Sequence, residues 1–439
     1  MRYQLAAVLL FIVSSLNVFA GAAEKIRLVP QIGTHQFPFF DQPTSVWNYN
    51  GQMPGPLIRT TVGTTLAVEV LNRLEEPTSV HWHGLRIDNA MDGVPGVTQD
   101  PILPGDMFVY HLKLIDAGTF WYHPHLNAGE QMERGLKGVL IVEPKENLPW
   151  SQDLVWFLDD WRLQEDGTIY PHFNTGHDLM HDGRWGNVAT VNGKWKPTYN
   201  AIPGERIRLR LINGANARVF LPVLEKLNAN VIAVDGKPVT TIFPFNQFYL
   251  APGNRIDLDI TIPVDAAEET YILNDSFTRN TFPLATIKVK DEIPTKTPVL
   301  NIPTADNYIP ATLFDKVYAT KVWDLDAIRG GQYGIGWSMN QKLWPDADTG
   351  DFEIGQPQKV VFKNSSSRLH PMHIHGAFFR VLEKNDKPVV EPFTRDTVLV
   401  GPRESITIGL LPEHEGIWLT HCHIQSHADA GMMTTITVD

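Results

Sequence analysis

The chain has 439 residues, 43% of them hydrophobic, enough for two to four domains that each bury their own core. A formal net charge of −12 argues against a nucleic-acid partner. The single cysteine, Cys422, excludes an internal disulfide.

The chain opens on an expected targeting segment, residues 1–23. Arg2 supplies a positive start, and Leu5 to Val13 form an apolar stretch too short to span a bilayer. Small residues at Ala20, Gly21, Ala22 and Ala23 suit cleavage there. The segment has no twin arginine, so the general secretory route and a periplasmic or secreted location are expected. No later stretch reads as a transmembrane helix. A free thiol in an oxidising compartment invites oxidation. Retention of Cys422 therefore suggests protection by a metal, with plain burial as the alternative.

A threefold repeat follows, expected as units over 24–147, 148–294 and 295–439. Each contains a glycine, an alternating strand and an asparagine nine positions after the glycine: Gly63 to Asn72, Gly204 to Asn213, Gly355 to Asn364. Upstream of each lies a turn-forming Asn with a proline beyond it: Asn50 and Pro54, Asn192 and Pro197, Asn340 and Pro345. Short runs of period two, such as Arg206 to Leu211, and turns at Pro104-Gly105, Pro252-Gly253 and Gly401-Pro402 predict an all-β chain of sandwiches or small barrels. Gly129 to Gly135 predicts one short turn of helix. Boundaries are expected near Pro144 to Pro149 and near Ile293 to Pro303.

The first unit carries His81-Trp82-His83 and then His123-Pro124-His125. Asp92 lies nine residues after His83, in the loop Asp92-Gly93-Val94-Pro95-Gly96, where an aspartate also suits a turn cap. The middle unit has Pro222 and Leu224 at the first of these places and no paired histidines, so it reads as a spacer or wall. Its looser group, His172, His177 and His181, lies beside Gly176 and Gly183 and reads as an exposed loop, with a secondary metal site as the minority view.

The third unit restores the pairs. His373 and His375 lie nine and eleven residues after Asn364, as His81 and His83 do after Asn72. His421 and His423 lie five and seven after Gly416, as His123 and His125 do after Gly118. On a strand, residues i and i+2 face one way, about 6.6 Å apart along the chain. Four pairs from two equivalent units give eight imidazoles, which meet if those units pack face to face. Such a donor set suits copper, whereas hard ions would need carboxylates. Cys422, between His421 and His423, points the opposite way. With His427, the more remote His370 and Met432 it forms a His₂Cys set with a weak thioether, the pattern of blue-copper electron transfer.

These motifs resemble those of the multicopper oxidases, the laccases and bacterial copper-efflux oxidases, over essentially the whole mature chain. The resemblance implies three cupredoxin-like Greek-key β-sandwich or barrel domains and four copper ions. It assigns His370, Cys422 and His427 to type 1 copper, with Met432 axial. His81 and His373 go to type 2, and His83, His123, His125, His375, His421 and His423 to the type 3 pair. It implies electron entry through His427, taken to be the more exposed type 1 histidine, onward transfer through Cys422, and proton supply by Asp92. Two carboxylates that relatives carry are replaced here by Gln425 and Ala428.

The implied partners are dioxygen and a small-molecule electron donor. The expected activity is laccase-like, one-electron oxidation of phenols or aromatic amines coupled to four-electron reduction of dioxygen to water. The ten methionines are scattered, so a methionine-rich insert for cuprous ions is not seen. The alternative is a periplasmic metallo-oxidase of Cu(I) or Fe(II) in copper tolerance. A copper-free structural relative is disfavoured by the full ligand set, and a copper nitrite reductase by the three repeats.

Overall fold

The computed structural model describes residues 24–439 apart from 147, 296–301, 303, 306–308 and 332. The expected targeting segment lies outside the described residues. So do residue 147 at the first expected boundary and most of the second. The chain is 47% strand and 6% helix, which makes it all-β. Among the described residues, no helix is long and apolar enough to cross a membrane.

The three repeat strands occupy equivalent places. Thr65–Leu71, Arg206–Asn213 and Gln358–Asn364 each pair parallel with one earlier strand and antiparallel with one later strand. A parallel pair inside an otherwise antiparallel sheet is how the Greek-key crossover shows here. The repeated asparagines explain the shared spacing. Asn72, Asn213 and Asn364 are buried at the strand ends. Their amides donate to the carbonyls of Ile102, Leu250 and Gly401, and their oxygens accept from the amides of Leu74, Ala215 and Ser366. Each ties the strand to the next turn, so backbone groups that a buried loop would orphan are satisfied.

Alternation decides what each face meets. Ile207, Leu209 and Leu211 enter the core of the middle unit. Full burial of such a side chain is worth about 1.5–3 kcal/mol. The opposite face is not solvated. Arg206, Arg208 and Arg210 pair with Asp259, Asp257 and Asp153, and Arg210 and Asp257 both bond Thr119 of the first unit.

A second sheet in each outer unit carries the histidines. His81–His83 pairs antiparallel with Gly118–His123, placing His81 opposite His123. His370–Ile374 pairs antiparallel with Gly416–Cys422, placing His373 opposite His421 and Met372 opposite Cys422. The corresponding pair in the middle unit sets Pro222 against Asp275. The expected helical turn forms over Ala128–Glu133. A second short helix, Gly176–Met180, replaces the loop expected around His177. Thr175 and Asp178 build a reciprocal capping box there, which outweighs the adjacent glycines.

Candidate metal centre

The outer units meet so that all four His-x-His pairs converge. His421 Nε2 lies 3.3 Å from His125 Nε2 and 3.1 Å from His375 Nε2. His423 Nε2 lies 3.3 Å from His83 Nδ1. His83 stacks on His373 at 3.8 Å between ring centroids, and His81 on His375 at 3.9 Å. All except the half-buried His125 are buried.

The outward nitrogens explain which way each ring faces. His81 Nδ1 donates to the Asp92 carbonyl, His123 Nδ1 to that of Pro124, His373 Nδ1 to that of Asp396 and His421 Nδ1 to that of Cys422. His375 Nδ1 donates to the Asp92 carboxylate at 2.8 Å. Each such bond fixes a tautomer and turns Nε2 inward. His83 is reversed: its Nε2 is 3.3 Å from Asp396 Oδ1, and Nδ1 faces His423.

The cluster fits a set of metal ions on two observations. The Nε2 atoms of His81, His123 and His373 are buried with no hydrogen-bond partner, a state that costs free energy unless something else binds them. Nitrogens 3.1–3.3 Å apart also match two ligands that each sit about 2.0–2.1 Å from one ion. Burial, with neighbouring imidazoles adding to it, pushes the pKa values of His83, His123, His125, His373 and His375 well down. Burial also lowers His423, and takes His421 to about 4. These rings are neutral near pH 7, the form a metal needs.

On the opposite side of the same strand, Cys422 Sγ lies 3.7 Å from His370 Nδ1 and 3.8 Å from His427 Nδ1, and those nitrogens are 3.2 Å apart. Burial raises the thiol pKa far above its ordinary value, so a thiolate here requires a cation beside it. Met432 is buried in the same core, and its main chain bonds both Cys422 and His427. Ser366 Oγ is 2.9 Å from His370 Nε2.

The structure corrects one expectation about His427. It is 0% exposed, as is His370. Its Nε2 donates to the main-chain carbonyl of His181 at 2.8 Å, under the helix Gly176–Met180. Trp337 covers the ring from the other side at 4.2 Å.

Asp92 is 1% exposed; its main-chain amide closes the adjacent 3₁₀ turn, while the side-chain cap of that turn is Asp88. The Asp92 carboxylate reaches two histidines instead, His375 at 2.8 Å and His81 at 3.3 Å. Gln425 approaches His423 at 3.4 Å, and Ala428 is buried.

Several contributors are not apparent from the sequence. The middle unit supplies Arg255, whose guanidinium grips Asp396 at 2.9 and 2.7 Å. It also supplies Gly253, at φ +91°, where a Cβ would lie 2.9 Å from carbons of both His83 and His423. The spacer is therefore a wall of the cluster. Its Pro252-Gly253 turn was the one available signal, and it reads only as a turn.

Three family profiles described as multicopper oxidase match residues 31–147, 152–291 and 317–439. The chain is 28% identical to multicopper oxidase MmcO of Mycobacterium tuberculosis, over 89% of this chain and 83% of that protein. It is 28% identical to a laccase of Cryphonectria parasitica, over 88% and 77%. The crystal structure of a multicopper oxidase from Pseudomonas thermotolerans matches with a TM-score of 0.82 and 30% identity, covering 95% of this chain and 100% of that one.

Proposed function

The chain belongs to the multicopper oxidase family and is a copper oxidoreductase that uses dioxygen, and on that premise we propose a laccase-like oxidase of phenols and aromatic amines, exported from the cytoplasm. The observation that carries the donor class is a cavity of about 650 Å³ between the middle and third units. Phe243, Phe248, Tyr249, Phe277 and Phe393 line it, and Phe243 stacks on Phe393 at 5.8 Å. Leu369, on its wall, directly precedes His370. Aromatic walls suit a planar aromatic donor, and one peptide bond separates that wall from the type 1 set.

Copper, when bound, supplies one-electron acceptance at one site and dioxygen reduction at the other. His370, Cys422 and His427 would hold the type 1 ion, with the Met432 thioether in the same buried core. His125, His375 and His421 would hold one type 3 ion, and His83, His123 and His423 the other. His81 and His373 would hold the type 2 ion. The peptide bonds from Cys422 to His421 and His423 join the two sites. Asp92, bonded to His81 and His375, holds and moves protons at its carboxylate, as a general acid. Arg255 and Asp396 keep His83 in the tautomer whose Nδ1 faces the cluster.

Oxygen uptake by the copper-loaded protein across a panel of phenols and aromatic amines tests this reading. Phe393→Ala should raise KM for those donors several-fold with little change in kcat. Failure of every aromatic donor to drive oxygen uptake would refute the laccase assignment.

A further inference from the structure

The third repeat departs from the other two at two places, and both lie on one cleft beside His370. Two residues after the shared asparagine stand Leu74 and Ala215 in the first two units, and Ser366 in the third. In the turn that answers this asparagine, the amides of Asn72, Asn213 and Asn364 donate to the carbonyls of Asp106, Asn254 and Glu404. The residues just before these are Gly105, Gly253 and Arg403. All three have left-handed backbone, at φ +86°, +91° and +58°. That conformation is open to glycine and unfavourable for any other residue. Strained backbone of this kind persists where the residue has a task.

The cleft holds about 240 Å³, with Ser366, Arg368, Arg403, Trp337 and Asp326 on its wall. Arg403 donates to the Ser365 carbonyl. Among the described residues, neither guanidinium forms an ion pair with a carboxylate. Asp326 accepts from the Ala327 amide at 2.9 Å. Two arginines against one aspartate make the cleft positive, in a chain with 49 acidic and 37 basic residues. Such a local field draws an anion.

The cleft also reaches both type 1 histidines. Ser366 Oγ donates to Asn364 Oδ1 at 2.7 Å, so it accepts from His370 Nε2 at 2.9 Å. The Trp337 ring lies 4.2 Å from that of His427 and 4.9 Å from that of His370. We propose that this cleft takes phenolic acids, single-ring donors whose carboxylate sits on Arg368 and Arg403 while the ring stands against Ser366 and Trp337. This rests on the multicopper oxidase reading above. The cleft is a second port, set apart from the aromatic cavity by its charge. Each donor passes one electron inward through Ser366 and His370 and releases its phenolic proton to water, leaving a phenoxyl radical. Four such electrons with four protons reduce one dioxygen to two waters, so no other reductant is needed.

The test uses the full copper-loaded protein. Veratrate, an aromatic acid with no phenolic proton to give, is the redox-silent probe in equilibrium dialysis. The unaltered protein should bind one veratrate per chain, and Arg368→Gln and Arg403→Gly should each weaken it about tenfold, the scale of a hydrogen bond to a charged group. In oxygen-uptake assays, the ratio of kcat/KM for vanillate to that for its neutral methyl ester should fall about tenfold in both variants. In the unaltered protein, added salt should lower the same ratio. Arg403→Gly restores the residue of the other two units and relieves the left-handed backbone, so its Tm should be equal or higher. Loss of the ratio without loss of Tm separates a donor contact from a structural role. Equal veratrate affinity and an unchanged ratio in both variants would overturn the port and leave the oxidase reading standing. No oxygen uptake with either donor in the unaltered protein would overturn both.

Discussion

Arg255 of the middle unit holds Asp396 of the third in a two-pronged salt bridge, at 2.9 and 2.7 Å, with both side chains buried. Burial raises the Asp396 pKa, Arg255 draws it back, and the nearby Asp235 adds to the rise. Arg255 is therefore the cation that lets two carboxylates coexist beside the cluster. Arg255→Met should leave both uncompensated and cost about 3–5 kcal/mol. Asp396, the partner of His83, also loses the group that fixes it. Chemical denaturation and copper content per chain check this. Full stability with four coppers retained would contradict it.

Asp92 joins units one and three through His81 and His375. Asp92→Asn keeps the volume and an acceptor for His375, but removes the acid. Reduction of the type 1 site by a donor should proceed at its usual rate, while reoxidation by dioxygen slows about a hundredfold or more. Stopped-flow recording of both half-reactions separates them. Equal slowing of the two would instead indicate a purely structural role.

Cys422 is the only sulfhydryl, and its sulfur faces away from the eight clustered imidazoles. Cys422→Ser should abolish the intense blue absorption and the turnover, because the thiolate is the ligand that defines a blue-copper site. The trinuclear ions should stay bound, since none of their eight ligands changes. Copper analysis would then give about three ions per chain in place of four. A variant that remains blue, or one that loses all its copper, contradicts the separation of the two sites.

The paired histidines were legible because a strand alternates every two residues and because the same register recurs in both outer units. The repeated glycines and asparagines were legible for a related reason: each does the same backbone task three times. The contribution of the middle unit was not. Arg255 sits in an alternating strand whose charged face reads as solvated, and only the packing against the first and third units buries it. The helix Gly176–Met180 over His427 was hidden too. Gly176 and Gly183 weaken a helix on propensity alone, yet the Thr175–Asp178 capping box compensates locally. Exposure of His427 could not be read from its own neighbours, because its cover comes from a segment 246 residues away.

The buried imidazoles also set how the copper-free protein responds to pH. Nine of the ten clustered histidines have pKa values pushed down by burial from 6.5, to about 4 for His421 and about 3 for His427. Such a group contributes its full stability above the unfolded pKa and loses it as pH falls toward the folded one. Five carboxyls, four of them buried and Asp429 half-buried, act the other way, because desolvation raises them: Glu133, Asp159, Asp275, Asp396 and Asp429. Between about pH 6.5 and 4, the unfolded chain gains up to nine protons on the imidazoles, and the folded chain holds at most five extra on the carboxyls. The unfolded state binds more, so stability rises with pH across that window. Thermal unfolding of copper-free protein should therefore show Tm falling steadily from pH 7 to pH 5. A flat or rising Tm on acidification would mean that these imidazoles are solvated when metal is removed.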